Sequence, residues 1–408
     1  MKINKKLICH IYILLWCVYN LQGSLYAVGS RMGRMLLAVI LVISIYYFFI
    51  ANMKYKLPKV LKILTVLILA WTVYGVIPMV VGTSGVTRKV QDFMYLKGIY
   101  MSLLPIYTFY VFVRRGWLTE DLLRRWIIVF IMVAITCFYS NETKLMQRAE
   151  AKGADQEDFT NNVGYTLLSV LPLIPLLWRK PILQYVLLGV CLLYVLMGFK
   201  RGAIIAGIVA TVWFLYVSTS KIQKQETFRK KGLRLLLTII LVVGTVVVVQ
   251  NLLSMNSYFN RRIERTLEGD SSGRDVLYST FYNHFVNESN VLRFLFGNGA
   301  YGTLKISSHY AHNDWLEIAI DNGLILLILY MAYWLSFIKT MLRVRRYNKL
   351  LYLMMGEFFI IYFLRTFYSM SYNNISIYAT SALGYAMAVY MRPNCASTND
   401  VINKDNVS

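Results

Sequence analysis

Acidic side chains are scarce in this sequence: 20 Asp and Glu stand against 43 Lys and Arg, a formal net charge of +23. Cysteines are few as well. Cys9, Cys17, Cys137, Cys191 and Cys395 show no paired spacing, which excludes a disulfide framework and a zinc site. Four of the five lie in apolar runs, where they are expected only to pack. No P-loop lysine follows the one glycine-rich turn, so a nucleotide site is excluded. No internal repeat is visible, which speaks against an inverted-repeat transporter.

What the chain does have is apolar length. It is 57% hydrophobic over 408 residues, with a mean hydropathy of +0.51. That exceeds the apolar share of soluble domains, and lipid is the solvent that accommodates it. A helix needs about 20 mainly apolar residues to cross the hydrocarbon core. Twelve runs approach that length: 7–28, 33–52, 59–81, 96–113, 122–140, 163–178, 182–199, 202–219, 233–254, 316–338, 349–366 and 375–391. The expected fold is therefore all-α integral membrane, with about 12 transmembrane helices. The first run follows Lys2, Lys5 and Lys6 but lacks a small-x-small cleavage site, so it is expected to be retained.

Charge orients such a bundle. With both termini on the cytoplasmic side, 26 of the 43 basic residues but only 5 of the 20 acids fall in cytoplasmic segments. The basic excess is a topology signal. Nucleic acid drops out as a partner, and membrane lipids come in. Glu357 is expected to be the only acid well inside a span. Residues 1–392 form the membrane domain, and 393–408 read as a disordered cytoplasmic tail.

Two extracytoplasmic segments are long. The first, 141–162, holds Asp155-Gln156-Glu157, a weak candidate for metal binding. The second runs from about 255 to 315, and long loops in compact proteins tend to carry function. Val276, Leu277, Phe281 and Phe285 recur there at near-helical spacing, so the loop is expected to be partly helical.

The second loop concentrates the chemistry. It contains His284, His309 and His312, three of the four histidines. His309 and His312 share a face if helical. Histidine is the side chain suited to accept a proton near neutral pH. Arg261, Arg262, Arg265, Arg274 and Arg293 are in the same loop, and Gly273-Arg274-Asp275 opens its helical stretch. Lys200-Arg201-Gly202 lies at an outer connection, where positive charge is disfavoured unless it has a use. Guanidinium suits phosphate because it offers fixed, always-charged donors. Arg365 ends the eleventh run and reads as a snorkelling residue.

Taken together, these residues resemble the O-antigen ligase and polymerase superfamily. His312-Asn313, followed after nine residues by Gly323, resembles its signature at the end of a large outer loop. Phe296-Gly297-Asn298-Gly299 resembles the Gly-x-Gly that precedes the His, and Lys200-Arg201-Gly202-Ala203 resembles a Ser-Arg-Gly helix start. Gly273-Arg274 resembles the Arg that opens the loop helix. The matches cover about 195–330. Leu326 stands where ligases favour Gly, Thr or Tyr, which tilts the resemblance toward a polymerase.

The resemblance implies a GT-C-like, metal-independent glycosyltransferase of the bacterial inner membrane, without a cofactor and with its active site on the outer face. Its donor would be an undecaprenyl-diphosphate-linked oligosaccharide, and a flippase and a chain-length regulator are implied as partners. His312 would be the catalytic base. Arg201 and Arg274 would clamp the diphosphate. His309, Asn313, Asp314, Glu317 and Gly323 would support them, with Asp314 and Glu317 either orienting the His or capping the tenth span. The alternatives are a ligase handing finished glycan to a lipid acceptor, a flippase of lipid-linked sugar, and a loop that only binds a partner.

Overall fold

The computed structural model describes residues 5–81, 89–152, 161–219, 228–255 and 273–392, together with positions 260, 264 and 268. Among these the chain is all helical, with no strand. Six helices are long and apolar enough to cross a membrane. They are α2 (Arg31–Lys54), α3 (Lys59–Val81), α4 (Lys89–Arg114), α5 (Glu120–Lys152), α9 (Phe228–Met255) and α13 (Asp314–Val344). Shorter helices complete the bundle: α1 (Lys5–Asn20), α6 (Gly164–Leu168), α7 (Pro181–Met197), α8 (Arg201–Val217), α14 (Lys349–Arg365) and α15 (Ile377–Tyr390).

Each of the twelve apolar runs is helical, but several differ from expectation in extent. The first helix stops at Asn20 rather than 28, and Gly23 and Gly29 in the following turns take positive φ. The sixth run is not one helix. A five-residue α6 gives way to a 3-10 segment, Leu171–Leu177, because Pro172 and Pro175 lack the N–H that an α-helix would use. The fifth helix continues past the expected end of its run and through much of 141–162, to Lys152. Asp155 and Glu157 lie outside the described residues, as do Arg261, Arg262, Arg265 and the tail.

The core is centred on α4 and α15. Small residues on α15 let the two backbones approach, as is usual between membrane helices. A Cβ added at Gly384 would sit 2.6 Å from the Ile106 carbonyl of α4. The expected helical loop is present as α10 (Arg274–Val286), α11 (Val291–Phe296) and α12 (Thr303–Ile306). Leu277, Phe281 and Phe285, spaced i, i+4, i+8, turn toward Ala311 and Ile320, while Val276 faces outward.

Helix α13 is broken. Gly323 has φ 74° and ψ −176°, a backbone region that only glycine occupies without strain. Gly297, which ends α11, has nearly the same angles, φ 78° and ψ −174°. The two glycines lie back to back. A Cβ on Gly297 would strike the Asp321 carbonyl and the Asn322 amide, and one on Gly323 would strike the Leu295 carbonyl. The loop thus crosses the kink at backbone contact distance, which no side chain permits.

Candidate functional site

Three buried carboxylates tie the loop to the bundle. Asp321 accepts from the backbone N–H of Tyr301 at 3.1 Å and of Thr303 at 3.0 Å. Glu317 accepts from the Thr303 hydroxyl and the Ala311 N–H, both at 2.8 Å. Asp314 accepts from the Ser371 N–H at 2.7 Å, the Tyr330 hydroxyl at 2.8 Å, the Tyr372 N–H at 3.2 Å and the Ser371 hydroxyl. Asp314 and Glu317 therefore hold backbone segments, and no hydrogen bond joins either to the His312 ring. Asp321, like Glu357, is fully buried. Next to the kink, Asn322 receives the Trp71 indole N–H at 3.1 Å and the Tyr74 hydroxyl at 3.2 Å. The residues just before the break in α13 are thereby bonded to both the loop and α3.

This frame places His312. Its backbone has φ 50°, in the left-handed region that non-glycine residues avoid. Asn313 caps α13 by accepting from Trp315 and Leu316 N–H at 2.9 and 3.2 Å, and its Nδ2 donates to the Phe367 carbonyl at 3.2 Å. Tyr278 of α10 shares its hydroxyl proton between the carbonyls of Phe367, at 2.9 Å, and His312, at 3.2 Å. His309 and His312 do not share a helical face, because residues 307–313 form bends. His309 instead lies within 2.9 Å of the Ser308 hydroxyl and is exposed.

His312 opens onto a polar cavity of about 440 Å³ at one end of the bundle. Three cations, Lys200, Arg274 and Arg365, line the same cavity, and among the described residues no carboxylate lines it. Hydroxyl, amide and phenol groups fill the rest of the wall, including Thr166, Ser369 and Asn374. Partial burial holds the His312 imidazole below its usual pKa, and Arg274, Lys200 and His309 push it further down. It is thus biased toward the neutral form, which accepts a proton.

Each cation reaches the cavity from a different element. Lys200 follows Phe199, another left-handed residue, with φ 50°. Strained residues of this kind persist where the surroundings over-determine them, and they gather at functional sites. Arg274 begins α10. Arg365 ends α14 and is 5% exposed. Its guanidinium lies over the Tyr165 ring at 4.6 Å and donates to the Asn374 carbonyl at 3.2 Å. Among the described residues, Arg365 Nε and Ser376 Oγ have no hydrogen-bond partner although both are buried. Both residues line the cavity. A buried donor without an acceptor costs about 1–3 kcal/mol, so these two groups are destabilising as they stand.

The structure brings His312 and Arg274 together as expected. Arg201, the first residue of α8, is not among the residues that line the cavity, whereas Lys200 just before it is. Arg365, expected to snorkel, points instead into the protein. Gly202 earns its place by contact: the Tyr368 hydroxyl donates to its carbonyl at 2.8 Å, and a Cβ there would strike the Tyr368 ring. Among the described residues no cluster of His, Cys, Asp and Glu suits a metal ion. Compared with known proteins, the chain matches no family model and no curated protein.

Proposed function

We propose that this chain is a membrane glycosyltransferase that polymerises polyprenyl-diphosphate-linked oligosaccharide repeat units into a surface polysaccharide. One observation carries the reading: three cations and a histidine biased toward its neutral form share one cavity, and among the described residues no carboxylate lines it. In this reading the twelve apolar runs are twelve crossings of a bacterial inner membrane in a GT-C-like arrangement. The cavity faces outward, and His312-Asn313 with Gly323 is the signature of the O-antigen ligase and polymerase superfamily.

The chemistry follows from the groups present. The donor's diphosphate lies among Lys200, Arg274 and Arg365, which neutralise the charge that grows on it as the glycosidic C–O bond breaks. The acceptor hydroxyl attacks the anomeric carbon from the opposite side and inverts it. Its proton passes to the His312 imidazole, while the bonding electron pair leaves with the diphosphate. The neutral hydroxyl and amide wall, with Tyr165 and Tyr368, offers the donors and ring faces that sugars bind.

A ligase differs only in its acceptor, and the assay decides between them. Purified protein with lipid-linked repeat units should give ladders of lengthening glycan, and His312→Ala and Arg274→Ala should stay folded without producing them. Full activity in both variants would remove the site assignment. Well-folded protein that transfers to a lipid acceptor but never lengthens the chain is a ligase. Protein that carries the lipid across vesicles without transfer is a flippase.

A further inference from the structure

Helices α8 and α9 each pack on α7 and leave a groove between them. The groove holds about 350 Å³ and is lined almost wholly by aliphatic side chains, with Thr211, Thr245 and Gln250 as the polar exceptions. We propose that this groove seats the isoprenoid chain of the lipid-linked donor. The inference rests on the transferase reading above and adds to it where the apolar part of the substrate lies.

Three features point to one molecule that occupies both cavity and groove. First, they meet. Ile204 lines the groove, and its N–H donates to the Lys200 carbonyl at 3.0 Å, so one helical turn separates the groove from a cavity cation. Second, the groove has the right length. From Ile204 to Leu215 the α8 wall rises roughly 16 Å at 1.5 Å per residue, about one leaflet of a 30 Å hydrocarbon core. Third, it has room: a dry cavity of about 150 Å³ accepts a benzene ring, and this groove is more than twice that size. A cationic cavity joined to an apolar groove complements an anionic head on a long apolar tail. A phospholipid has the same two parts, so the test must separate the two.

A second groove of about 300 Å³ runs along the other side of α9. No residue of α8 lines it, so it has no path along that helix to Lys200, and it serves as the control.

The test uses full-length protein and a photoreactive undecaprenyl diphosphate that carries no sugar. Labelled peptides should map to α8 and α9 at the groove. Unlabelled undecaprenyl diphosphate should displace the probe, and excess phosphatidylglycerol should not. Ile208→Trp or Val246→Trp should lower labelling and raise the donor KM about tenfold, the loss of burial of about two methylenes. A donor with a short tail should be unaffected by either change, and Ile240→Trp in the second groove should change neither reading. Label spread over all lipid-facing helices, or displaced equally by phosphatidylglycerol, overturns the groove. Groove labelling without glycan transfer by wild type supports the groove and overturns the transferase.

Discussion

Two polar clusters stand side by side where the loop meets the bundle, and they are built in opposite ways. Asp314, Glu317 and Asp321 lie on successive turns of α13, all buried, and every carboxylate is engaged by backbone or hydroxyl donors of the same chain. The cavity gathers Lys200, Arg274, Arg365 and His312, and no acid among the described residues lines it. Buried charge is expensive unless it is paired and hydrogen-bonded. The acids meet that cost internally, as clamps. In the cavity wall, Arg365 Nε and Ser376 Oγ have no hydrogen-bond partner among the described residues. One cluster is satisfied within the chain, and in the proposed reading the other receives the anion of a substrate.

If that contrast is right, substitutions at the clamp should cost stability and those at the cavity should cost activity. The largest effect is expected at the glycine crossing. Gly323→Ala forces a Cβ against the Leu295 carbonyl in a glycine-only backbone region. The strain alone is about 3 kcal/mol, and the collision adds to it. The variant should aggregate or fail to run as a single species on size exclusion. Asp321→Ala should follow, because it strands the N–H groups of Tyr301 and Thr303 at about 1–3 kcal/mol each. A stable, monodisperse Asp321→Ala protein would break the distinction between the two clusters.

Arg365→Lys tests the other side. It keeps a positive charge but loses the planar fork over Tyr165 and the unpartnered Nε. Thermal unfolding in detergent should change little, while glycan transfer should fall about 100-fold, the scale of losing one donor to a developing anion. Equal losses of stability and activity would make Arg365 a clamp like the acids.

The pH profile sharpens the comparison further. His312 must be neutral to accept a proton, and burial with Arg274, Lys200 and His309 lowers its pKa from the usual 6.5. The rate should therefore rise with pH along a limb centred below 6.5 and be flat at neutrality. Arg274→Gln removes one of the positive neighbours, so the limb should move up toward the ordinary value. The same shift makes folding stability rise with pH across that window, since the unfolded chain holds the proton more tightly. A limb that stays put in Arg274→Gln would separate the two residues.

How much of this was legible in the sequence depends on the kind of signal. Apolar length and period marked every helical run, because burial in lipid leaves a local trace. Pro172 and Pro175 marked the break in the sixth run but not its 3-10 form. Gly297 and Gly323 stood out as glycines in suggestive places, yet their meeting is a backbone contact between segments 26 residues apart in the chain. His312 and Arg274 were found because they cluster in one loop. Arg365 was misread, since an arginine at the end of an apolar helix looks the same whether it turns to headgroups or inward. Which of Lys200 and Arg201 lines the cavity could not be read from residue type. Asp321 was passed over because its partners are backbone amides, which no side-chain pattern reveals.

Tyr278 joins the two clusters and gives the smallest effect. Its hydroxyl bridges the carbonyls of Phe367 and His312, so α10 holds the left-handed backbone at His312 from above while the acids hold it from below. Tyr278→Phe keeps the ring and removes only that bridge, worth about 1 kcal/mol. Such a loss is roughly a fivefold change in an equilibrium. It should appear in kcat, because the base is displaced, and leave the donor KM unchanged, because the cations stay where they are. The pH limb should also stay in place, since no charge is removed. A fall in thermal stability with kcat intact would instead make the bridge one more clamp, and would leave the strain at His312 to be held by Asn313 and the helix it caps.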